Sequence, residues 1–339
     1  MTTLRAPIPG APTPDARAVR SGAIDGLRVL AVVGVVAGHV WSGPLVDAGL
    51  YTWHVPAFFL LSGYLWKARE PGTRGASVTE AKKRFGTIMT PFFAWLVVTL
   101  IVHVAIHRYR GTLTPEAVIL PLLGGSLNAG PFGAYWFMPA LFLSAVLFRV
   151  LERATLVLRI VLIAGLAIIT DLFQEVLAPL PMSLGVAGGA LVFMLAGQGL
   201  QHLRSRVEAP IRVGAVCLAA GAAPVIAGVS APLDMKYGEL GTPVLGVAVA
   251  VLIGVGLLLM LEGLFPLLPG WVHAVSGRLA AGCLMVVLTH TYVLWLLDVP
   301  DAERSYRVLV LALVLPWAVA LILHRTPLSR LSLGMPRAG

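Results

Sequence analysis

Apolar runs of roughly 20 residues, each about the length needed to cross about 30 Å of hydrocarbon as a helix, recur along this chain with short polar breaks between them. Ten such runs lie near residues 25–43, 51–66, 88–107, 134–152, 157–177, 184–203, 211–229, 242–262, 278–297 and 306–324. The pattern predicts an all-α polytopic membrane protein of about ten transmembrane helices. Composition agrees: 58% of the residues are hydrophobic and only 12% charged. The charged fraction is about half the ~25% usual in globular domains, and the apolar surface exceeds what soluble cores need to bury.

Charge sets the orientation, because cytoplasmic loops collect Lys and Arg. With the N-terminus inside and the breaks assigned alternately, twenty of the 25 Lys and Arg fall on the inner side. Arg108, Arg110, Lys236, Arg304 and Arg307 fall on the outer side. Both termini are therefore expected to be cytoplasmic. The run at 51–66 is short and that at 157–177 carries Asp171 near its end, so these two are the least sharply bounded. The stretch "RYRGTLTPEAVILPLLGGSLNAGPFG", between the third and fourth runs, is long enough for a re-entrant or interfacial segment.

Residues 1–22, rich in Pro, Ala and Arg and without a hydrophobic region, are expected as a disordered tail rather than a signal peptide. Residues 23–325 then form the membrane domain, and 326–339 a short cytoplasmic C-terminal tail. The net charge of +9 suits anionic membrane lipid. No basic helix or aromatic-basic module gathers that charge for nucleic acid. Cys217 and Cys283 both lie in apolar runs and read as small core residues, not as a disulfide framework. No metal is expected.

Ionisable residues inside apolar runs are the candidates for chemistry, because they are costly in lipid. In "AIDGLRVLAVVGVVAGHVW", Arg28 and His39 lie eleven positions apart. Eleven steps of about 100° end about 20° past three turns, so the two share a helix face roughly 16 Å apart along the axis. Arg28 is either an anchor snorkelling to the interface or part of a site. His39 is either an interhelical hydrogen bonder or a reactive group. His54 lies at a similar depth at the start of the next run, and Ser62-Gly63 further along it is a pair small enough for close helix packing. Lys82, Lys83 and Arg84 stand at the cytoplasmic mouth of the third run, suited to topology, to anionic lipid or to phosphate. Tyr135 and Trp136 open the fourth run, as an interfacial aromatic belt or as a surface on which a sugar stacks. His290 lies in the middle of the ninth run. The outer segment "APLDMKYGELGTP" offers Asp234 and Glu239 as partners for an outward-facing histidine.

Several of these stretches together resemble the acyltransferase-3 family of bacterial membrane O-acyltransferases. "IDGLRVLAVVGVVAGHVW" keeps the family's arginine and histidine with ten residues between them. "HVPAFFLLSGYL" looks like its FFxxSG segment, preceded by the His-x-Pro of sugar O-acetylase members. "KKRFGTIMTPFFAW" is similar to its basic entry into span three, "YWFMPALFL" to its Trp-Phe-x-x-Ala-Leu span, and "CLMVVLTHTYVLWLL" to its late histidine-containing span. The resemblance runs from about residue 23 to 325. It departs at span three, where a second arginine often follows the first by three residues and this chain has Thr87 after Arg84. An extracytoplasmic SGNH hydrolase-like domain at the C-terminus is not expected.

The resemblance implies ten spans in a bacterial-type cytoplasmic (inner) membrane and acetyl-CoA, or another acyl-CoA, as cytosolic donor. A carbohydrate or glycoconjugate would be the acceptor. It implies His39 as general base, with His54 as a second catalytic or acceptor-orienting group. Arg28, Lys83 and Arg84 would hold the donor's phosphates, and Ser62, Tyr135, Trp136 and His290 would contact substrate. The spacing between Arg28 and His39 would suit an extended pantetheine arm. The competing reading is a proton-coupled transporter or flippase for a polar lipid or sugar, which intramembrane histidines would also suit. Against it, no matching pair of Gly/Pro-broken spans marks two halves of the chain.

Overall fold

The structure, a computed structural model, describes residues 14–69 and 75–338, with side chains from Gly22 on. Each of the ten apolar runs contains a helix, and no strand forms among the described residues. In chain order the helices are α1 (Pro14–Val40), α2 (His54–Tyr64), α3 (Ala76–Arg84), α4 (Thr90–Tyr109), α5 (Pro115–Leu123) and α6 (Phe137–Leu151). There follow α7 (Leu156–Leu172), α8 (Leu191–Leu203), α9 (Pro210–Ile226), α10 (Leu245–Leu264), α11 (Gly270–Leu297), α12 (Tyr306–His324) and α13 (Ser329–Leu333).

Among the described residues, six helical stretches are long and apolar enough to cross a membrane: Gly22–Val40, Ala76–Tyr109, Gly130–Leu151, Leu245–Leu267, Gly270–Leu297 and Tyr306–His324. The other four runs give shorter helices, α2, α7, α8 and α9, of 11, 17, 13 and 17 residues. Ahead of α2 the chain runs as a π-helical turn through Asp47–Tyr51 before His54 begins the helix. α7 breaks at Phe173 and a short helical turn, Gln174–Leu177, follows; beside the break the Asp171 carboxylate accepts from the Leu240 amide at 2.8 Å. The start of the run at 184–203, "LGVAGGA", is a series of turns rather than helix, as its glycines favour. α9 stops at Ile226, two residues before Gly228 takes a left-handed φ of 68°.

Both ends of the chain carry helix. α1 starts at Pro14, so the tail expected over residues 1–22 is helical in its last part; residues 1–13 lie outside the described residues. Proline is favoured at a helix start, and Asp15 and Ala16 after it suit a first turn. At the other end, residues 329–333 form α13, which docks on α4. The Trp95 indole donates to the Ser332 carbonyl at 2.9 Å, and Leu333 is buried.

α1 runs through the centre of the bundle against α11, α10, α2 and α12. Lipid gives helices no hydrophobic reason to associate, so contact depends on close packing, and small residues allow it. The tightest crossing is α2 on α8. A Cβ at Gly63 would sit 1.9 Å from the Met194 carbonyl oxygen, and one at Gly197 would sit 1.9 Å from that of Leu60. Each glycine is thus required by the other helix's backbone. The outer faces suit lipid: Leu156, Val157, Ile160, Val161, Ile168 and Leu172 of α7 are all exposed. Water would penalise an apolar patch of that extent.

Candidate functional site

α1 ends one residue after His39, and a helix end leaves carbonyls without intrahelical partners. Two of them are taken up by side chains from elsewhere. The Tyr51 hydroxyl donates to the Gly38 carbonyl at 3.1 Å, and Arg304 donates to the His39 carbonyl at 2.7 Å. Arg304 is itself paired with Asp301 at 2.7 Å. His39 is therefore fixed from two loops. Gly34, one turn and a half earlier, lets His54 pack directly on α1; a Cβ there would lie 3.2 Å from that of His54.

Three histidines gather at this end of the bundle. The rings of His39 and His290 are 5.0 Å apart between centroids. His290 Nδ1 bonds the Val286 carbonyl at 2.9 Å, and its buried Nε2 has no partner. His54 Nδ1 bonds the Leu50 carbonyl in the same manner. A carbonyl only accepts, so each Nδ1 is the N–H, and the neutral rings keep a lone pair on Nε2.

Two cavities meet at His39. The larger, about 560 Å³, is lined by Trp41, Trp295, Asp301 and Arg304 among others. The smaller, about 280 Å³, is lined by His54, Phe58, Trp136, Asp234 and Val287 among others. His39, Tyr51 and Lys236 line both. The Lys236 ammonium donates to the Asn128 carbonyl at 2.7 Å, and burial pushes its pKa down. Burial also pushes the neighbouring Asp234 carboxyl up to about 6. An imidazole and a half-buried ammonium therefore share one junction, where the first can accept a proton and the second can steady a negative oxygen.

The sequence candidates divide between this junction and other places. His39, His54 and Trp136 line the cavities, and His290 stands behind His39. Tyr135 is fully buried with its hydroxyl 2.9 Å from that of Thr99, away from all three described cavities. Ser62 has a buried hydroxyl without a partner on the helix that crosses α8. Asp234 lines the smaller cavity with His39 and His54, whereas Glu239 pairs with Asp234 in a small β-bridge.

Of the three cations expected at the donor's phosphates, Arg28 lies on α1 and Lys83 and Arg84 lie together on α3. Arg28 pairs with Asp25 at 3.0 Å and is partly exposed. Arg84 is held by Glu80 at 2.9 Å, and Glu80 is held in turn by Arg149 at 3.1 Å. Lys83 is exposed, with no carboxylate partner among the described residues. α3, which carries Lys83 and Arg84, packs mainly on α6 rather than on α1.

Sequence reasoning passed over Tyr51, Lys236 and Arg304. The last two are among the five cations on the cation-poor side of the chain, a signal that was available in the charge count. Among the described residues no cluster of three or more metal-ligating side chains is present.

A family model describing an acyltransferase domain, that of the acyltransferase-3 family, matches residues 21–323. No curated protein and no solved structure matches the chain.

Proposed function

The chain belongs to the acyltransferase-3 family, which makes it a membrane acyltransferase, and from that premise we propose that it moves an acetyl group from cytosolic acetyl-CoA to a hydroxyl of a carbohydrate or glycoconjugate, with His39 as general base. The observation that carries this reading is the place of His39, which with Tyr51 and Lys236 forms the boundary shared by two cavities. Acyl transfer between two substrates needs such a boundary, with one reactant on either side and a base within reach of both.

His39 takes the proton of the acceptor hydroxyl as its oxygen attacks the thioester carbonyl. The ammonium of Lys236 stabilises the negative oxygen of the tetrahedral intermediate. The new C–O bond stays, the C–S bond breaks, and the proton on His39 passes to the departing CoA sulfur. His290 supports the His39 ring, and His54 and Trp136 shape the smaller cavity on which the acceptor or the acyl arm is held. The donor's phosphates are assigned to the opposite end, to Arg28 and Lys83, with Arg84 next in sequence. Ten spans, both termini in the cytoplasm and a bacterial inner membrane complete the proposal, supported by the distribution of Lys and Arg along the chain.

The test uses purified protein in lipid nanodiscs with acetyl-CoA labelled in the acetyl group and a panel of glycans. Label in a glycan ester, matched by free CoA, is the expected result. Movement of glycan across a vesicle membrane with the thioester intact would overturn it in favour of a carrier.

A further inference from the structure

A third cavity, of about 380 Å³, lies beside the junction and takes no part in the reaction described above. His103, Thr114, Asn128, Phe132 and Trp295 are among its walls. It shares Ala129, Gly130 and Trp295 with the larger cavity at His39, so the two adjoin at the Trp295 ring. Two of its polar lining residues are unpaired, whereas His107 and Thr112 bond one another at 2.9 Å. Asn128 is 2% exposed, yet neither its Nδ2 nor its Oδ1 has a hydrogen-bond partner. His103 is 8% exposed, and its Nδ1 is also without one. Buried polar groups are nearly always bonded, and leaving one unpaired is costly. Two in one cavity wall point to an occupant that supplies the missing bonds.

The lining restricts what that occupant is. Asn128 presents two donor hydrogens and an acceptor side by side, and His103 adds a further polar nitrogen. Trp295 gives an aromatic wall shared with the larger cavity. No Lys or Arg lines the cavity, so a phosphate or carboxylate would lack a counter-charge there. A wholly apolar occupant would leave the Asn128 amide unpaired. A neutral polyhydroxylated ring meets both demands, with hydroxyls for the amide and a C–H face for the indole. The backbone carbonyl of Asn128 holds Lys236, so this cavity is tied to the ammonium at the junction.

We infer that the Asn128–Trp295 cavity is a second sugar subsite, which holds the ring adjacent to the one that is acylated. The inference rests on the carbohydrate-acceptor reading of the preceding subsection. It makes this chain selective for acceptors of two or more rings over single sugars.

The test takes wild type and Asn128→Ala in nanodiscs. Acetyl transfer is measured to matched mono- and disaccharides of glucose, galactose, N-acetylglucosamine and rhamnose. Disaccharide binding without CoA is followed separately by quenching of tryptophan fluorescence. Alanine at 128 retains the backbone carbonyl that holds Lys236. For whichever sugar is accepted, the wild-type KM is expected to be about tenfold lower for the disaccharide, the effect of one or two good hydrogen bonds. Asn128→Ala should close that gap by raising the disaccharide KM alone. Equal wild-type KM values for one and two rings, a result that needs no variant, would overturn the subsite. So would zinc binding at the His103–His107 pair that no disaccharide displaces. Disaccharide quenching without transfer to any sugar would support the subsite while overturning the proposed reaction. Transfer without any quenching would overturn the subsite and leave the reaction standing.

Discussion

The two ends of the bundle differ in what surrounds their buried polar groups: ion-pair networks at the Arg28 end, where Arg149 Nε alone of its guanidinium lacks a partner, and cavities at the His39 end. At the Arg28 end, charges close on one another. Arg149 bonds Glu80 and the Lys67 carbonyl, pairs with Glu152 at 2.5 Å, and lies 4.2 Å over the Trp66 ring. The Trp66 indole in turn donates to Glu152. A second closed set joins Arg204 to Glu262 and Glu262 to the Tyr64 hydroxyl, the latter at 2.6 Å. At the His39 end, His290 Nε2, His103 Nδ1 and the whole Asn128 amide are buried without partners, next to open cavities. Paired groups hold helices in place, and unpaired groups beside space are free to hold a ligand. Arg84, Arg149 and Arg204 are taken up in ion pairs, whereas Lys236 lies against both cavities at His39.

The largest effect should come from opening a closed network. Arg149→Ala leaves Glu80 and Glu152 buried without their shared cation, and removing one partner of a buried pair costs about 3–5 kcal/mol. Thermal unfolding in detergent should show a large fall in Tm; an unchanged Tm would show that this end is not held by its charges. At the other end, Lys236→Met should leave Tm nearly unaltered and lower kcat about 10²-fold, as removal of one oxyanion donor does. A fall in Tm with unchanged kcat would place Lys236 among the structural cations and dissolve the contrast.

The smallest effect concerns Asp234, which burial holds at about 6, with Glu239 raising it further and Lys236 opposing. Tyr51 and Tyr237 are the other titratable groups that its charge affects. Because the folded-state value lies above the usual carboxylate range, the contribution to stability is full below that range. It is lost as pH rises through about 6. Wild type should therefore lose Tm between about pH 4 and pH 6, and Asp234→Asn should lose less. Parallel curves for the two proteins would remove Asp234 from the balance of charge at the junction.

The sequence was most informative where local chemistry decides structure. Helices appear wherever an apolar run was long, because a backbone in lipid has to bond to itself. Run length alone did not say where a helix stops. α7 breaks beside Asp171, which bonds Leu240, sixty-nine positions away, and such a partner is invisible from the run itself. His39 and His54 stood out as ionisable groups in apolar surroundings, and both line the cavity system. Tyr51, Lys236 and Arg304 did not, since nothing local marks them. Tyr51 and Arg304 gain their meaning by bonding the end of α1, and Lys236 by lining both cavities with His39, contacts made only in three dimensions. Arg84 shows the same limit for a charge: Glu80, four positions earlier on its helix, pairs with it, a partner that a run of three cations does not reveal.

The account turns on His39, and the most direct measurement is the initial rate of acetyl transfer from labelled acetyl-CoA by His39→Ala in nanodiscs, with Tm recorded on the same sample. Removal of a general base should lower the rate about 10²- to 10⁴-fold while Tm and membrane insertion stay near those of wild type. A variant that folds and transfers acetyl at the wild-type rate would contradict the assignment of the chemistry to the junction of the two cavities.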